Sequence, residues 1–155
     1  MAAFKFNMEF LLTLRRRREE EAAASLAKRL ATIRELERRI AGMDEVRENL
    51  QSDLQEHIRK GQVSPALLSL YSDFQTKLFQ DRKGAEELLA LSQREEIKER
   101  TALRQAVMER QVMERFRERK EADWKADDMR QEQNSIEEMA ALMKARRLRI
   151  EKDVP

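Results

Sequence analysis

The sequence predicts an all-α protein: two long helices in an antiparallel coiled-coil hairpin, with the C-terminal helix overhanging. Three observations carry this. Charged residues make up 40% of the chain and aromatics 5%, a composition that suits long helices and would struggle to fill a round core. Three glycines and two prolines in 155 residues are too few for the turns of a sheet protein. The apolar residues recur in sevens, a periodicity that intrinsic disorder does not require.

The first helix is expected over about residues 6–60, ~80 Å at 1.5 Å per residue. Its seam is a heptad: Leu26, Ile33, Ile40 and Leu54 hold one position, with Arg47 the charged exception, and Leu36, Met43, Leu50 and His57 hold the other. The pattern runs back through Ala22 and Leu14 to Phe10, less cleanly. A turn follows at about 61–64, in "KGQVSP". Gly61 suits the left-handed residue that ends a helix, Ser64 the N-cap of the next, and Pro65 the first helical position, where its missing N–H costs nothing. A stop followed at once by a start makes the helices antiparallel neighbours. One continuous kinked helix would have to tolerate Gly61 and Pro65 in its interior at several kcal/mol.

The second helix is expected over about residues 65–151, ~130 Å long. Its seam reads Leu67, Tyr71, Phe74, Leu78, Ala85, Leu88, then Ala102, Ala106, Met113 and Phe116. With the turn centred near Gln62, residue i faces about residue 124 − i, and helix one runs out opposite Phe116 to Glu118. That leaves the last ~30 residues without a partner in the chain. Residues 1–155 thus read as one hairpin domain, monomeric or weakly self-associating because its heptads satisfy each other. Gly42 and Gly84 fall at nearly one level, as a joint or as two tolerated helix glycines. "SQREEIKERT" is poor in seam residues and lies opposite the small residues from Ala22 to Ala31, so loose packing is expected there.

The same residues bound the chemistry. Lys plus Arg is 32 and Asp plus Glu is 30, interleaved as on solvated helix faces. The absence of cysteine excludes disulfides and fits a reducing compartment. No apolar run approaches the ~20 residues of a membrane span, and "MAAFKFNMEFLLTL" carries Lys5 and Glu9 without a cleavage pattern, so it reads as mature protein. A two-helix rod offers no pocket of converging polar groups, and the one histidine, His57, sits in the seam; no enzyme, metal site or cofactor is expected. "RRRR" at Arg15–Arg18 precedes heptads as a basic region precedes a zipper. "EEE" follows directly, however, and the spacing of base-reading residues is missing, so a solvated face is preferred to nucleic acid. "KARRLRIEK" is a weaker case for a membrane-surface helix, lacking aromatics.

The unpaired end differs. Met129, Ile136, Met143 and Ile150 are spaced in sevens, with Met139 and Ala140 beside the line and Trp124 at its root. An apolar stripe without an intramolecular partner marks a contact surface, and methionine suits one that must adapt. Self-association or a folded-back tail are the plainer alternatives. "SIEE" at Ser135–Glu138 is a capping box, so the overhang is either one continuous helix or one that restarts there.

The opening "FKFNMEFLLTLRRRREEEAAASLA", the turn "GQVSPALLSLYSDFQTKL" and the close "MRQEQNSIEEMAAL" together resemble the FliJ proteins of the flagellar export apparatus. The resemblance covers nearly the whole chain. It implies a non-enzymatic coiled-coil stalk, in the cytoplasm and peripherally associated with the inner membrane, without direct insertion. Its implied partners are the hexameric export ATPase, the cytoplasmic domain of the export gate, and emptied export chaperones. By position, the gate-facing residues would be Met43, Val46, Leu50, Tyr71, Phe74 and Leu78, the last two also seam residues by the heptad. The ATPase-facing residues would be Phe6, Phe10 and Leu14 with Trp124, Met129, Glu132, Gln133, Ile136, Met139, Met143 and Ile150. The injectisome stalk proteins of the YscO group share the architecture and are the nearest alternative. A basic-helix nucleic-acid binder and a self-assembling structural coiled coil are the alternatives of other classes.

Overall fold

The computed structural model describes residues 3–152. Helix α1 spans Glu9–Arg59 and helix α2 spans Pro65–Lys152, and the described residues hold no strand. The two helices run antiparallel, as the short turn between them requires. They divide into two compact units, residues 17–107 and residues 3–16 with 108–152 among those described.

The first unit contains the turn. Gly61 has φ +67° and closes α1 with two bonds: its N–H donates to the Ile58 carbonyl at 3.1 Å, and the Gln62 N–H to the His57 carbonyl at 3.0 Å. This is the Schellman pattern of a left-handed C′ residue, which satisfies carbonyls the helix end would orphan. Two residues on, the Ser64 hydroxyl accepts from the Leu67 N–H at 3.1 Å, with Pro65 at the first helical position. A Cβ at Gly61 would meet nothing within 4 Å, so the cost of substitution lies in the backbone alone. Gly61→Ala should lower stability by roughly 1 kcal/mol. Gly42→Ala and Gly84→Ala, at helical positions with equally open surroundings, should raise it by up to about 1 kcal/mol. Denaturant unfolding of the three variants measures both signs.

The seam of α1 in this unit matches the heptad: Ile33 is buried, and Ala22, Leu26, Leu36, Ile40, Met43, Leu50, Leu54 and His57 are half-buried, while Arg47 is exposed. On α2, Tyr71, Leu78, Ala85 and Ala106 are in the seam as expected, but Phe74, Leu88 and Ala102 are exposed. The second seam position lies four residues after the first, at Arg82, Leu89, Glu96 and Leu103, each half-buried. Two of these four are charged, so a search for apolar residues passes over the position and settles one residue early. Arg82 shows why a charge is stable there: its Nε donates to Asp44 Oδ1 at 2.8 Å across the hairpin. The spacing rule set Gln80 opposite Asp44, so this pair lies two residues further on than the rule placed it, whereas Arg15 and Glu109 fall on it.

Loose packing around "SQREEIKERT" is not what the structure shows. Ser92 is buried at 7% exposure, with Ala85 at 3% and Ile33 at 7% in the same unit. Glu99 of that stretch accepts from Arg29 Nη2 at 3.2 Å. A small buried side chain in the seam stands where a large apolar knob was expected, in a stretch whose Glu99 is ion-paired across the hairpin.

The second unit pairs the start of the chain with α2 beyond Met108. Here Leu12 is fully buried and Phe10 is 77% exposed, which corrects the seam expected at Phe10. From Leu26 and Ala22 the heptad steps back through Glu19 and Arg15 to Leu12, and the two charged steps hide it from an apolar search. Arg15 pairs with Glu109, Arg16 with Glu114 at 3.5 Å and Glu9 with Arg117 at 3.2 Å. The first helix starts at Glu9 rather than near residue 6, but the segment before it is not idle. Phe6 meets Phe116 with ring centroids 5.9 Å apart, and Phe4 meets Trp124 at 6.0 Å. The intramolecular partnership therefore extends to Trp124, past the point where α1 alone would end it. Beyond Asp128 every residue from Met129 to Lys152 is exposed. The helix runs unbroken through Ser135, so the capping-box sequence there starts no new helix.

Candidate functional site: two exposed apolar surfaces

The unit with the turn carries more leucine and phenylalanine than its seam can bury. Leu50, Leu67, Leu70, Tyr71 and Phe74 line an apolar notch of about 350 Å³. Leu70 is 66% exposed and Phe74 45%. A four-residue step along α2 sets Leu67 below Tyr71 and Leu70 below Phe74, and Leu50 of α1 forms the opposing wall. A second, more polar groove of about 680 Å³ includes Met43, Leu54, Ile58, Leu78 and Phe79, with Arg47 and Arg82 at its edge.

The six residues placed at the gate-facing surface by resemblance are thus not one patch. Leu50, Tyr71 and Phe74 share the notch, Met43 and Leu78 share the groove, and the 42%-exposed Val46 lines neither. Phe74 leaves the seam and faces outward, whereas Leu78 stays half-buried. Leu70 and Phe79 were missed. The signal for them was available: "PALLSLYSDFQTKLFQ" holds more large apolar residues than two seam positions use.

Hydrogen bonds fix the charges beside the groove. The Arg82 guanidinium donates to both oxygens of Asp44, at 2.8 and 3.3 Å, and this holds the Asp44 carboxyl below its ordinary range and pushes Arg82 up. His57 stands edge-on to Tyr71 with centroids 6.5 Å apart, a packing contact at the mouth of the turn. Such a surface can take up apolar side chains of a partner protein.

The second surface is the exposed end of α2. Of the residues assigned by position to the ATPase, Phe6 and Trp124 are occupied by ring contacts within the chain, and Leu14 is half-buried. Phe10 is open to solvent. So are Glu132 and Gln133, the latter donating to Glu137 at 3.2 Å on its own helix. Met129, Ile136, Met139, Met143 and Ile150 are 58–71% exposed. On a helix these five share one face, about 80° wide, so the stripe seen as a spacing of sevens is a continuous exposed line. Leu142, 70% exposed, lies beside it, and Leu148, 53% exposed, lies on the far side of the helix.

Among the described residues no helix is long and apolar enough to cross a membrane. Residues 4–149 match the family described as "Flagellar FliJ protein", while no curated protein and no solved structure matches the chain. The match takes in both helices, the turn and nearly all of the exposed end of α2. The chain therefore belongs to the FliJ family, and with it to the components of the flagellar protein export apparatus.

Proposed function

We propose that the chain is the central stalk of the export apparatus: it seats the exposed end of α2 in the hexameric export ATPase, promoting its assembly and activity. The turn end meets the cytoplasmic domain of the export gate and receives emptied export chaperones. The observation that carries this reading is the run from Met129 to Lys152, exposed at every residue along an unbroken helix. A helix that continues so far beyond its own partner, with a flexible Met and Ile line, suits a surface that touches several subunits of a ring in turn. The apolar notch at the turn supplies a second docking point in a separate unit of the chain. The family is non-enzymatic, which fits a role exercised through binding.

Separate substitutions test the two ends. Ile136→Asp with Met143→Asp should abolish stimulation of ATP hydrolysis by the ring and leave gate binding intact. Leu70→Ala with Phe74→Ala should weaken gate binding about tenfold or more, as loss of two apolar anchors does, and leave stimulation intact. Neither pair is buried, so both should melt near the parent. Loss of both activities from either pair would show that one surface serves both partners.

A further inference from the structure

We infer that the exposed end of α2 is self-complementary and that the chain, free of other partners, forms an antiparallel dimer through it. Its charge and its apolar repeat share one centre. Residues 127–138 hold five carboxylates (Asp127, Asp128, Glu132, Glu137, Glu138) against the single Arg130. Residues 141–152, the stretch at the same distance on the other side of the centre, hold Lys144, Arg146, Arg147, Arg149 and Lys152 against the single Glu151. The apolar line, Met129, Ile136, Met143 and Ile150, is symmetric about the point between Met139 and Ala140.

A two-fold axis through that point sets Met129 level with Ile150 and Ile136 level with Met143. It also lays the acidic block of each copy along the basic block of the other. This is an isologous contact, which closes on itself and stops at two chains. A parallel pair would keep the apolar line but stack acid on acid and base on base, which the charge pattern disfavours. A membrane surface or a nucleic acid would attract residues 144–150 and repel residues 127–138 in the same stroke. Only a partner with the same two blocks in reverse order satisfies both, and a second copy has them.

The contact is modest in size. The 24 exposed residues from Met129 to Lys152 make about seven turns, with one line of Met and Ile and much solvated charge. A concentration-dependent and salt-sensitive dimer is the consequence. The same face is the one proposed to enter the ATPase ring, so the dimer belongs to the chain without the ring. The inference stands on the pattern of the segment itself and does not need the stalk reading.

Sedimentation of the purified full chain, from micromolar to millimolar concentration, tests it without any partner protein. The expected result is a monomer–dimer equilibrium that weakens at least about tenfold between low salt and 0.5 M salt. Reversing the basic block (Arg146→Glu, Arg147→Glu, Arg149→Glu) or the acidic block (Glu132→Lys, Glu137→Lys, Glu138→Lys) should abolish the dimer, and combining both reversals in one chain should restore it. Because the chain has no cysteine, single introduced thiols report direction. Ala140→Cys, beside the axis, should cross-link to its mate on oxidation, and Met129→Cys, far from it, should not. A monomer at all concentrations, a dimer indifferent to the block reversals, or cross-linking at both positions as in a parallel pair would each overturn the proposal.

Discussion

A chain cut after Asp128 should melt with the full-length protein but should no longer raise ATP hydrolysis by the export ATPase ring. Every described residue that the cut removes, Met129 to Lys152, is exposed, so the described seam of the hairpin loses no side chain. What goes is the Met and Ile line and the basic stretch from Lys144 to Arg149, which are the proposed contacts with the ring. A cut five residues earlier is not equivalent. After Asp123 the chain lacks Trp124, and Phe4 loses the ring it packs on at 6.0 Å. An aromatic pair of this kind contributes about 0.5–1.5 kcal/mol beyond its area, so the shorter chain should melt a few degrees lower. Thermal melts beside ATPase assays separate the two effects. Full stimulation by the chain cut after Asp128 would place the ring contact elsewhere. A large fall in its melting temperature would mean that the exposed end packs on the hairpin.

Leu12→Ala is the most damaging single substitution expected for the fold. Leu12 is the only large side chain with no exposed surface among the described residues, and truncating such a leucine costs about 2–4 kcal/mol in lost transfer energy and residual cavity. Phe10→Ala, two residues away, should change stability by no more than about 0.5 kcal/mol, because Phe10 is 77% exposed and surface changes are small. Urea unfolding of the two variants measures the contrast. The reverse order would restore the register in which Phe10 lies in the seam.

That pair of residues marks the limit of what the sequence could tell. The hairpin itself was legible, because "KGQVSP" combines a left-handed stop, an N-cap and a first-turn proline in six residues, and the bonds of Gly61 and Ser64 have that form. The α1 seam from Ala22 to His57 was legible because nearly every step is apolar. The α2 seam and the first turns of α1 were not, because Arg15, Glu19, Arg82 and Glu96 occupy seam positions. Their burial depends on partners from the other helix, such as Glu109 for Arg15 and Asp44 for Arg82, and no periodicity within one helix can reveal a cross-helix pair.

The two surfaces fared differently for the same reason. The exposed line from Met129 to Ile150 needs only one helix and was found by spacing alone. The notch of Leu50, Leu67, Leu70, Tyr71 and Phe74 needs the register between two helices, and an error of one residue in the seam hid Phe74 inside it. Phe6 and Trp124 were read as free for a partner, although residues before α1 carry aromatic rings onto α2. A segment outside any regular helix has no periodicity to place it.

The proposed stalk must present different residues to the ATPase ring and to the export gate, and site-specific photo-cross-linking in assembled export complexes tests this most directly. A photoreactive side chain at Met143 should capture the export ATPase and not the gate protein. The same group at Leu70 should capture the gate protein and not the ATPase. Capture of the ATPase through Leu70, with none through Met143, would contradict the assignment of the exposed end of α2 to the ring.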